Sequence, residues 1–427
     1  MNSGKADPNT NRSENATSGS DNGSGPVSQY DVIVIGAGIA GASVAARLVP
    51  KARVLLLEME SQPGYHTTGR SAALFSETYG PMSIRALTRA SQGFFNKPPA
   101  GFASNPLLSD RGAMLIARSD QLTALDALIS ESEKLSPVRR LDAEQALALC
   151  PLLRRDYVAG AMLETSARDI DVNGLHQGFL RMFRAGGGEL KNSRLVTRLE
   201  ASASGWLVRV GDQAYRGSVV INAAGAWAEH IGQLAGTEPI GLVPKRRTAL
   251  IVAAPSWAES TSGSDGGKKH HGQLAPLAAW PAVIDVDEQF YMKPDAGRLL
   301  ISPADETPSP PCDAQPDELD IATCVDRIQT AFDLPVPRIE NQWAGLRSFV
   351  LDKTPVCGYD GSLPGFFWLA GQGGYGIQSA PALSRVAAAL INREPIPDDI
   401  LSSGLNPNDL SVTRPGLNRV LQVFGNA

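Results

Sequence analysis

The sequence predicts an α/β protein of two domains. One is a nucleotide-binding unit assembled from separated pieces of chain, and the other is rich in antiparallel strands. Three observations carry this. A short apolar run, a glycine turn and a small-residue helix follow one another from Tyr30. Alternating and hairpin-like runs fill the middle of the chain. A second glycine-rich turn then stands ahead of a closing helix. With 427 residues, 43% of them hydrophobic and 19% charged, the chain has enough apolar material for a sizeable core.

The first 29 residues are mostly Ser, Asn, Gly and Asp, with no apolar stretch to bury, and read as a disordered tail. They hold no apolar h-region, so no secretory signal is expected. The net charge of -5 and the lack of a basic run argue against nucleic acid as a partner. Cys150, Cys312, Cys324 and Cys357 lie far apart and form no C-x-x-C, which signals neither a metal site nor a redox pair. The most apolar segment, Val32–Ala46, is too short to span a bilayer and is broken by glycines. The expectation is a cytoplasmic protein without a transmembrane segment.

YDVIVIGAGIAGASVAARL supplies the first element. Val32–Ile35 suits a buried parallel strand. Gly36, Gly38 and Gly41 have G-x-G-x-x-G spacing: the first for the tight turn, the second for close approach of a pyrophosphate, the third for helix–strand contact. The helix N-terminus behind them favours phosphate. A second strand, Arg53–Leu57, ends in Glu58, placed to accept hydrogen bonds from ribose hydroxyls and to repel a 2′-phosphate. This motif alone does not separate FAD from NAD.

The polar, glycine-punctuated stretch Ser61–Pro81 is suited to lie along a flat cofactor. Residues 120–150 read as helix, with Asp142 as an N-cap. Val172–Arg184 reads as a helix stopped by Gly186–Gly188. LVTRLEASASGWLVRV reads as two strands around a turn, and Ser218–Ala228 as a buried strand ending in small residues. Pro244–Ala253 reads as a strand with Arg247, Ala249 and Ile251 on one face and Arg246 on the other. Residues 259–272 are low-complexity and read as a flexible insert, and His270 and His271 within it have no third ligand to make a metal site. AVIDVDEQFYMKPDAGRLLIS reads as a hairpin turning at Asp295 and Gly297. His66, His176 and His230 have no nameable partner and read as structural.

FFWLAGQGGYGIQSA repeats the glycine spacing at Gly371, Gly373 and Gly376. A second nucleotide unit would need a further strand and an acid about 20 residues beyond. The text after Ile377 is one helix and a Pro/Asp-rich exit, so no such unit follows. The glycines then give clearance to the cofactor already held by the first turn, and a helix starting near Tyr375 aims its positive end at it. A reduced isoalloxazine, negative near N1 and C2=O, is stabilised by such a helix end. This favours non-covalent FAD.

Taken together, GAGIAG with Glu58, GYHTTGRSAA, NAAGAW, PKRR, FYMKPDAG, WAGLRSF and QGGYGIQ resemble the D-amino-acid oxidase-like flavoproteins, most closely the bacterial FAD-dependent D-arginine dehydrogenases. The resemblance runs from Tyr30 to about Ile400. It implies a discontinuous Rossmann-type FAD-binding domain (30–105, 165–241 and 345–427). It also implies a substrate domain (106–164 and 242–344) whose mixed, mainly antiparallel sheet roofs the flavin. The implied reaction is oxidative deamination: a D-amino acid loses its α-hydrogen as hydride to flavin N5, and the imino acid hydrolyses to a 2-oxo acid and ammonia. By the same resemblance Arg247 and Arg347 hold the substrate carboxylate, Tyr79 and Tyr291 contact substrate, and Gly374 and Gln378 sit at the substrate–flavin edge. Thr67, Thr68, Gly69, Arg70, Ser71, Ala72, Ala73 and Leu74 lie along the flavin, and Val196 contacts adenine. Ala40, Met59, Ala224, Gly225, Gly345, Gly373, Tyr375, Gly376 and Ile377 complete the expected cofactor contacts.

Two positions depart from the pattern. Leu74 stands where the D-arginine enzymes have histidine. Ala113 stands where they have the glutamate that faces the substrate guanidinium. Losing that carboxylate removes a charged hydrogen bond of about 1.5–3 kcal/mol. The expected substrate is therefore a D-amino acid with a neutral or apolar side chain. N-methyl amino acids and 2-hydroxy acids such as 2-hydroxyglutarate are the alternatives, with a redox-silent flavin-binding protein behind them. Oxygen or a quinone would each serve as electron acceptor. A disulfide reductase is disfavoured by the missing C-x-x-C.

Overall fold

The computed structural model describes residues 27–259 and 276–417. Most of the expected tail and of the 259–272 insert, with His270 and His271, lies outside the described residues. The tail is shorter than expected at its end: the first strand, β1 (Ser28–Ile35), begins inside it, where Ser28 and Gln29 pair with Tyr215 and Arg216.

The first sheet is built around β1. The helix α1 (Ile39–Leu48) and strand β2 (Val54–Leu57) follow it, and β2 lies parallel to β1. On the other side β1 pairs in parallel with Gln213–Asn222, which pairs in turn with Phe366–Ala370. All four β2 residues and the last four of β1 are buried. This explains their unbroken apolar runs: a central parallel strand is covered on both faces. Edges are made by Glu189–Lys191, by the antiparallel pair Arg198–Ser202 and Gly205–Val210, and by Val356–Tyr359, antiparallel to Phe366–Ala370.

The helices Ile39–Leu48, Val172–Ala185 and Gly376–Asn392 pack together on one side of this sheet. The close approach of α1 to β1 depends on Gly41, where a Cβ would stand 1.8 Å from the Gly36 carbonyl oxygen. Gly36 itself has φ +98, and its added Cβ would meet the Ala223 oxygen at 2.5 Å.

The second sheet is mixed and mainly antiparallel. Its strand order is Ile339–Phe349, Val243–Ala253, Arg298–Ser302, Tyr291–Asp295, Ala282–Asp285, Ala113–Ala117, Gly160–Glu164 and Val138–Asp142. The one parallel pair is Ala282–Asp285 with Ala113–Ala117. The hairpin turns at Ala296 and Gly297, both at positive φ. The strand Ile339–Phe349 runs through the boundary drawn at 344/345, because its ladder with Val243–Ala253 continues to Phe349.

The helix expected over 120–150 is in fact two helices, Leu122–Ser132 and Ala143–Leu149, parted by the strand Val138–Asp142. That strand is made by pairing with Gly160–Glu164, a partner no local pattern reveals. Asp142 does cap the second helix, accepting from Gln145 N at 2.8 Å. Among the described residues no strand follows the Gly376–Asn392 helix. None of the described helices is long and apolar enough to cross a membrane.

Candidate active site

Three cavities adjoin one another: the first and second share Gly38, Thr67 and Thr68 as walls, and the second and third share Arg247, Tyr291 and Arg347. The first is lined by Gly36, Gly38, Glu58, Met59, Thr67, Thr68, Val196, Ala224 and Gly225. The turn above it is held by side chains. Glu58 accepts from Ala37 N at 2.8 Å and Glu60 N at 3.0 Å, while Thr68 Oγ1 accepts from Ile39 N at 3.0 Å. Burial raises the pKa of Glu58, and its two backbone N–H partners work against that rise. His176 Nε2 lies 2.8 Å from the Ala37 carbonyl, so this nitrogen carries the proton. Burial keeps the ring neutral, and the Ala37 contact only partly opposes that.

His66 and His230 were expected to be merely structural, yet both line this first cavity. His66 bonds Glu60 at 2.9 Å and packs on Trp227, with ring centroids 4.6 Å apart. The tertiary fold brings Trp227 onto His66 from a distant part of the chain, and no spacing rule marks that contact.

The second cavity continues past Gly38, Ala40, Thr67, Thr68, Arg70, Ser71 and Ala72 to Gly345, Gly373, Gly374, Gly376 and Ile377. Arg70 is fixed from behind, donating to the Ala314 and Ala344 carbonyls at 2.9 Å and pairing with Asp313. Two buried polar atoms on this wall, Ser348 Oγ and Gln372 Nε2, have no partner among the described residues. They suit a polar, ring-bearing ligand laid along the wall. The Gly376 helix points its N-terminus here, as expected.

Arg247 and Arg347 reach the junction of the second and third cavities, together with Tyr291 and Gly374. They come from neighbouring antiparallel strands. Arg247 lies opposite Gly345 and Arg347 opposite Lys245, which puts the two arginines diagonally on one face. Gly345 leaves the position across from Arg247 open: a Cβ there would touch nothing closer than 3.6 Å. Arg347 Nη1 donates to the Tyr79 hydroxyl at 3.5 Å. Arg247 Nε donates to the Asp305 carbonyl at 2.9 Å, and its Nη2 lies 3.4 Å from Glu306. Burial, then the like charge of Arg347, lowers the Arg247 pKa. Burial also raises that of Tyr79, which therefore stays a neutral phenol. Two guanidiniums facing one cavity make a site for an anion.

The third cavity is walled by Ala73, Leu74, Ser76, Thr78, Tyr79, Ala113, Leu115, Ile284, Tyr291 and Lys293. Both departures, Leu74 and Ala113, therefore line it rather than the cofactor wall. Lys293 escaped the sequence reading although its signal was there: it follows Tyr291 by two residues on the same strand face.

Four expected site residues stand back from these walls. Gln378 is 2% exposed and its Oε1 accepts from Ser76 N at 3.0 Å, while its buried Nε2 has no partner among the described residues. Tyr375 packs edge-on against Tyr79 at 4.9 Å. Gly69 serves the turn, donating its N–H to the Gly64 carbonyl at 2.8 Å. Gly41 serves the α1–β1 contact. Arg246 points away from the cavities to Asp320, at 2.6 Å.

The profile of the FAD dependent oxidoreductases (DAO) matches residues 31–390. Among curated relatives, L-2-hydroxyglutarate dehydrogenase of Escherichia coli (strain K12) is 27% identical over 240 residues, covering 53% of this chain and 54% of the relative. The chain thus spans about half the length of the first curated relatives it matches. Glycine oxidase from Geobacillus kaustophilus superposes with a TM-score of 0.75 at 21% identity, over 91% of this chain and 99% of the other. Iminodiacetate oxidase from Chelativorans sp. BNC1 superposes with a TM-score of 0.68 at 22% identity, over 86% and 96%.

Proposed function

This chain belongs to the FAD dependent oxidoreductase family and takes FAD as its cofactor, and from that premise we propose that it oxidises the Cα–N bond of a D-amino acid. The observation that carries the reading is the pair Arg247 and Arg347 at the junction of the cofactor and distal cavities. A planar guanidinium grips a carboxylate through two parallel hydrogen bonds, and a second one fixes its orientation. With the carboxylate pinned there, one enantiomer alone turns its Cα–H toward the cofactor cavity. Bound FAD supplies the two-electron acceptor. Tyr79 and Tyr291 line the cavity, and in this reading the Tyr79 hydroxyl, which accepts from Arg347, or a water helps the amine shed its proton. Positioning of this kind supplies much of the rate.

The test is anaerobic bleaching of the bound flavin by a panel of D- and L-amino acids. Bleaching by the L-forms alone rejects the stereochemical assignment. Failure of every amino, N-methylamino and 2-hydroxy acid favours a redox-silent flavin-binding protein. A second reading, oxidation of a 2-hydroxy acid, draws on the curated relative named L-2-hydroxyglutarate dehydrogenase. It uses the same two arginines, and the same panel separates it.

The resemblance to D-arginine dehydrogenases supports the amino-acid reading, and Ala113 and Leu74 set its side-chain preference. A guanidinium in this cavity finds an alanine and a leucine on the wall where those enzymes offer glutamate and histidine. Turnover of D-leucine is expected to exceed that of D-arginine in kcat/KM by roughly tenfold or more, the worth of one charged hydrogen bond. A clear preference for D-arginine sinks this assignment.

A further inference from the structure

The distal cavity extends beyond the two arginines to a wall that the carboxylate clamp leaves unused. Part of its floor is a row of the second sheet that brings Lys293, Ala282 and Ala113 to the cavity and ends behind it at Glu164. Ala282 pairs with Ala113, and Ala113 with Glu164. The register of Val283 with Met292 and Ile284 with Tyr291, continued by one residue, sets Lys293 opposite Ala282. The row therefore reads Lys293, Ala282, Ala113, Glu164. Residues in register share a face. The two alanines leave open space between a buried lysine and a buried glutamate.

The two ends of this row differ. Glu164 is saturated: Ser76 Oγ and Thr78 Oγ1 each donate to it at 2.7 Å, and Glu77 N at 2.9 Å. Lys293 is not. It is 7% exposed, it lines the cavity, and one bond, Nζ to Asp169 Oδ1 at 2.7 Å, is its whole set of protein partners among the described residues. An ammonium has three donors. The other Asp169 oxygen is taken by Arg111 Nε at 2.7 Å. Two cations on one carboxylate leave this cluster with a net positive charge, and Arg111 already ties Asp169 down without the lysine. A buried ammonium with spare donors calls for an acceptor. Arg85, on the same cavity, spends its Nη1 on Glu131 at 2.6 Å and its Nε on the Gly80 carbonyl at 2.6 Å. Glu288 also lines the cavity but is exposed.

We propose that Lys293 is the anchor of a second anion subsite, and that the preferred substrate carries a carboxylate at the far end of its side chain. This rests on the clamp of Arg247 and Arg347 for the first carboxylate. The ligand class is a 2-amino or 2-hydroxy dicarboxylate. An acidic side chain then ranks above a neutral one, and both rank above a guanidinium.

The experiment uses two acids of equal length that the enzyme has no α-substituent to oxidise: glutarate and pentanoate. Their dissociation constants are measured on the flavin-loaded protein by perturbation of the visible flavin spectrum and by calorimetry. Glutarate is expected to bind about tenfold or more tightly than pentanoate. Lys293→Met is expected to erase that difference while leaving pentanoate affinity in place. A merely structural lysine would weaken both acids together or neither. Pentanoate binding with glutarate no tighter overturns this inference alone, as does a glutarate preference that survives Lys293→Met. Failure of both acids to bind overturns the arginine clamp and this inference with it. The wild-type comparison decides even if the variant folds poorly.

Discussion

Replacing Arg347 with methionine is expected to lower kcat/KM by roughly 30- to 900-fold, the equivalent of about 2–4 kcal/mol for removing one partner of a buried charged pair. Methionine keeps much of the aliphatic stem, so the loss reports the guanidinium rather than a cavity. Arg246→Met, one residue from Arg247 but on the opposite face, is the control. Arg246 is tied to Asp320 at 2.6 Å, with Asp317 at 3.7 Å and Asp305 at 3.8 Å, and lines none of the three cavities. Its loss is expected to reduce thermal stability while changing kcat/KM by less than about threefold, a difference under 1 kcal/mol. Steady-state kinetics of both variants on one substrate check this. Equal losses in the two would reject the assignment of Arg347 to the carboxylate. The strand alternation that separates Arg246 from Arg247 is what makes the pair of variants informative.

That alternation was legible because a strand's period is a local property. So were the glycine turn, the acid at the end of β2, the hairpin at Gly297 and, among the described residues, the absence of a strand behind the second glycine turn. Each is written within about 20 residues of chain, the reach of the spacing rules. The parts that escaped are those made by tertiary pairing. Val138–Asp142 is a strand because Gly160–Glu164 lies beside it, while its own composition is compatible with helix. Gln378 follows the glycine turn and would be expected to face the ligand. Instead the backbone of Ser76 claims its side-chain oxygen, because the loop after Leu74–Phe75 passes over the first turns of the Gly376 helix. His176 positions the first turn through the Ala37 carbonyl from 139 residues away. Lys293 is the intermediate case: its face was readable from Tyr291, but its burial and its tie to Asp169 were not.

The glycine turn carries the other large effect. Gly41→Ala is expected to leave the purified protein with far less than one FAD per chain and a melting temperature lowered by several degrees. The added methyl would sit 1.8 Å from the Gly36 oxygen and 3.3 Å from the Val34 side chain. Backbone cannot yield as a side-chain tip can, so α1 must lift away from β1. Overpacking of this kind costs about 1–3 kcal/mol or more. The lift also moves the first turn of α1 and the Ala37–Glu58 and Ile39–Thr68 bonds that shape the cradle. Cofactor binding and folding are linked and reinforce each other, so a loss in one lowers the apparent strength of the other. Gly93→Ala in the Met82–Asn96 helix is the matched control. Nothing lies within 4 Å of its added methyl, and an alanine in a helix is favoured over glycine by about 1 kcal/mol. That variant is expected to hold its full complement of FAD and to melt no lower than the parent. The absorbance ratio of flavin to protein after gel filtration, with a melting curve for each, reads both outcomes. A Gly41→Ala protein that keeps stoichiometric FAD and its parent melting temperature would mean that the helix can slide on the sheet without disturbing the cradle. The helix–strand contact would then have to be dropped as the reason for a glycine at position 41.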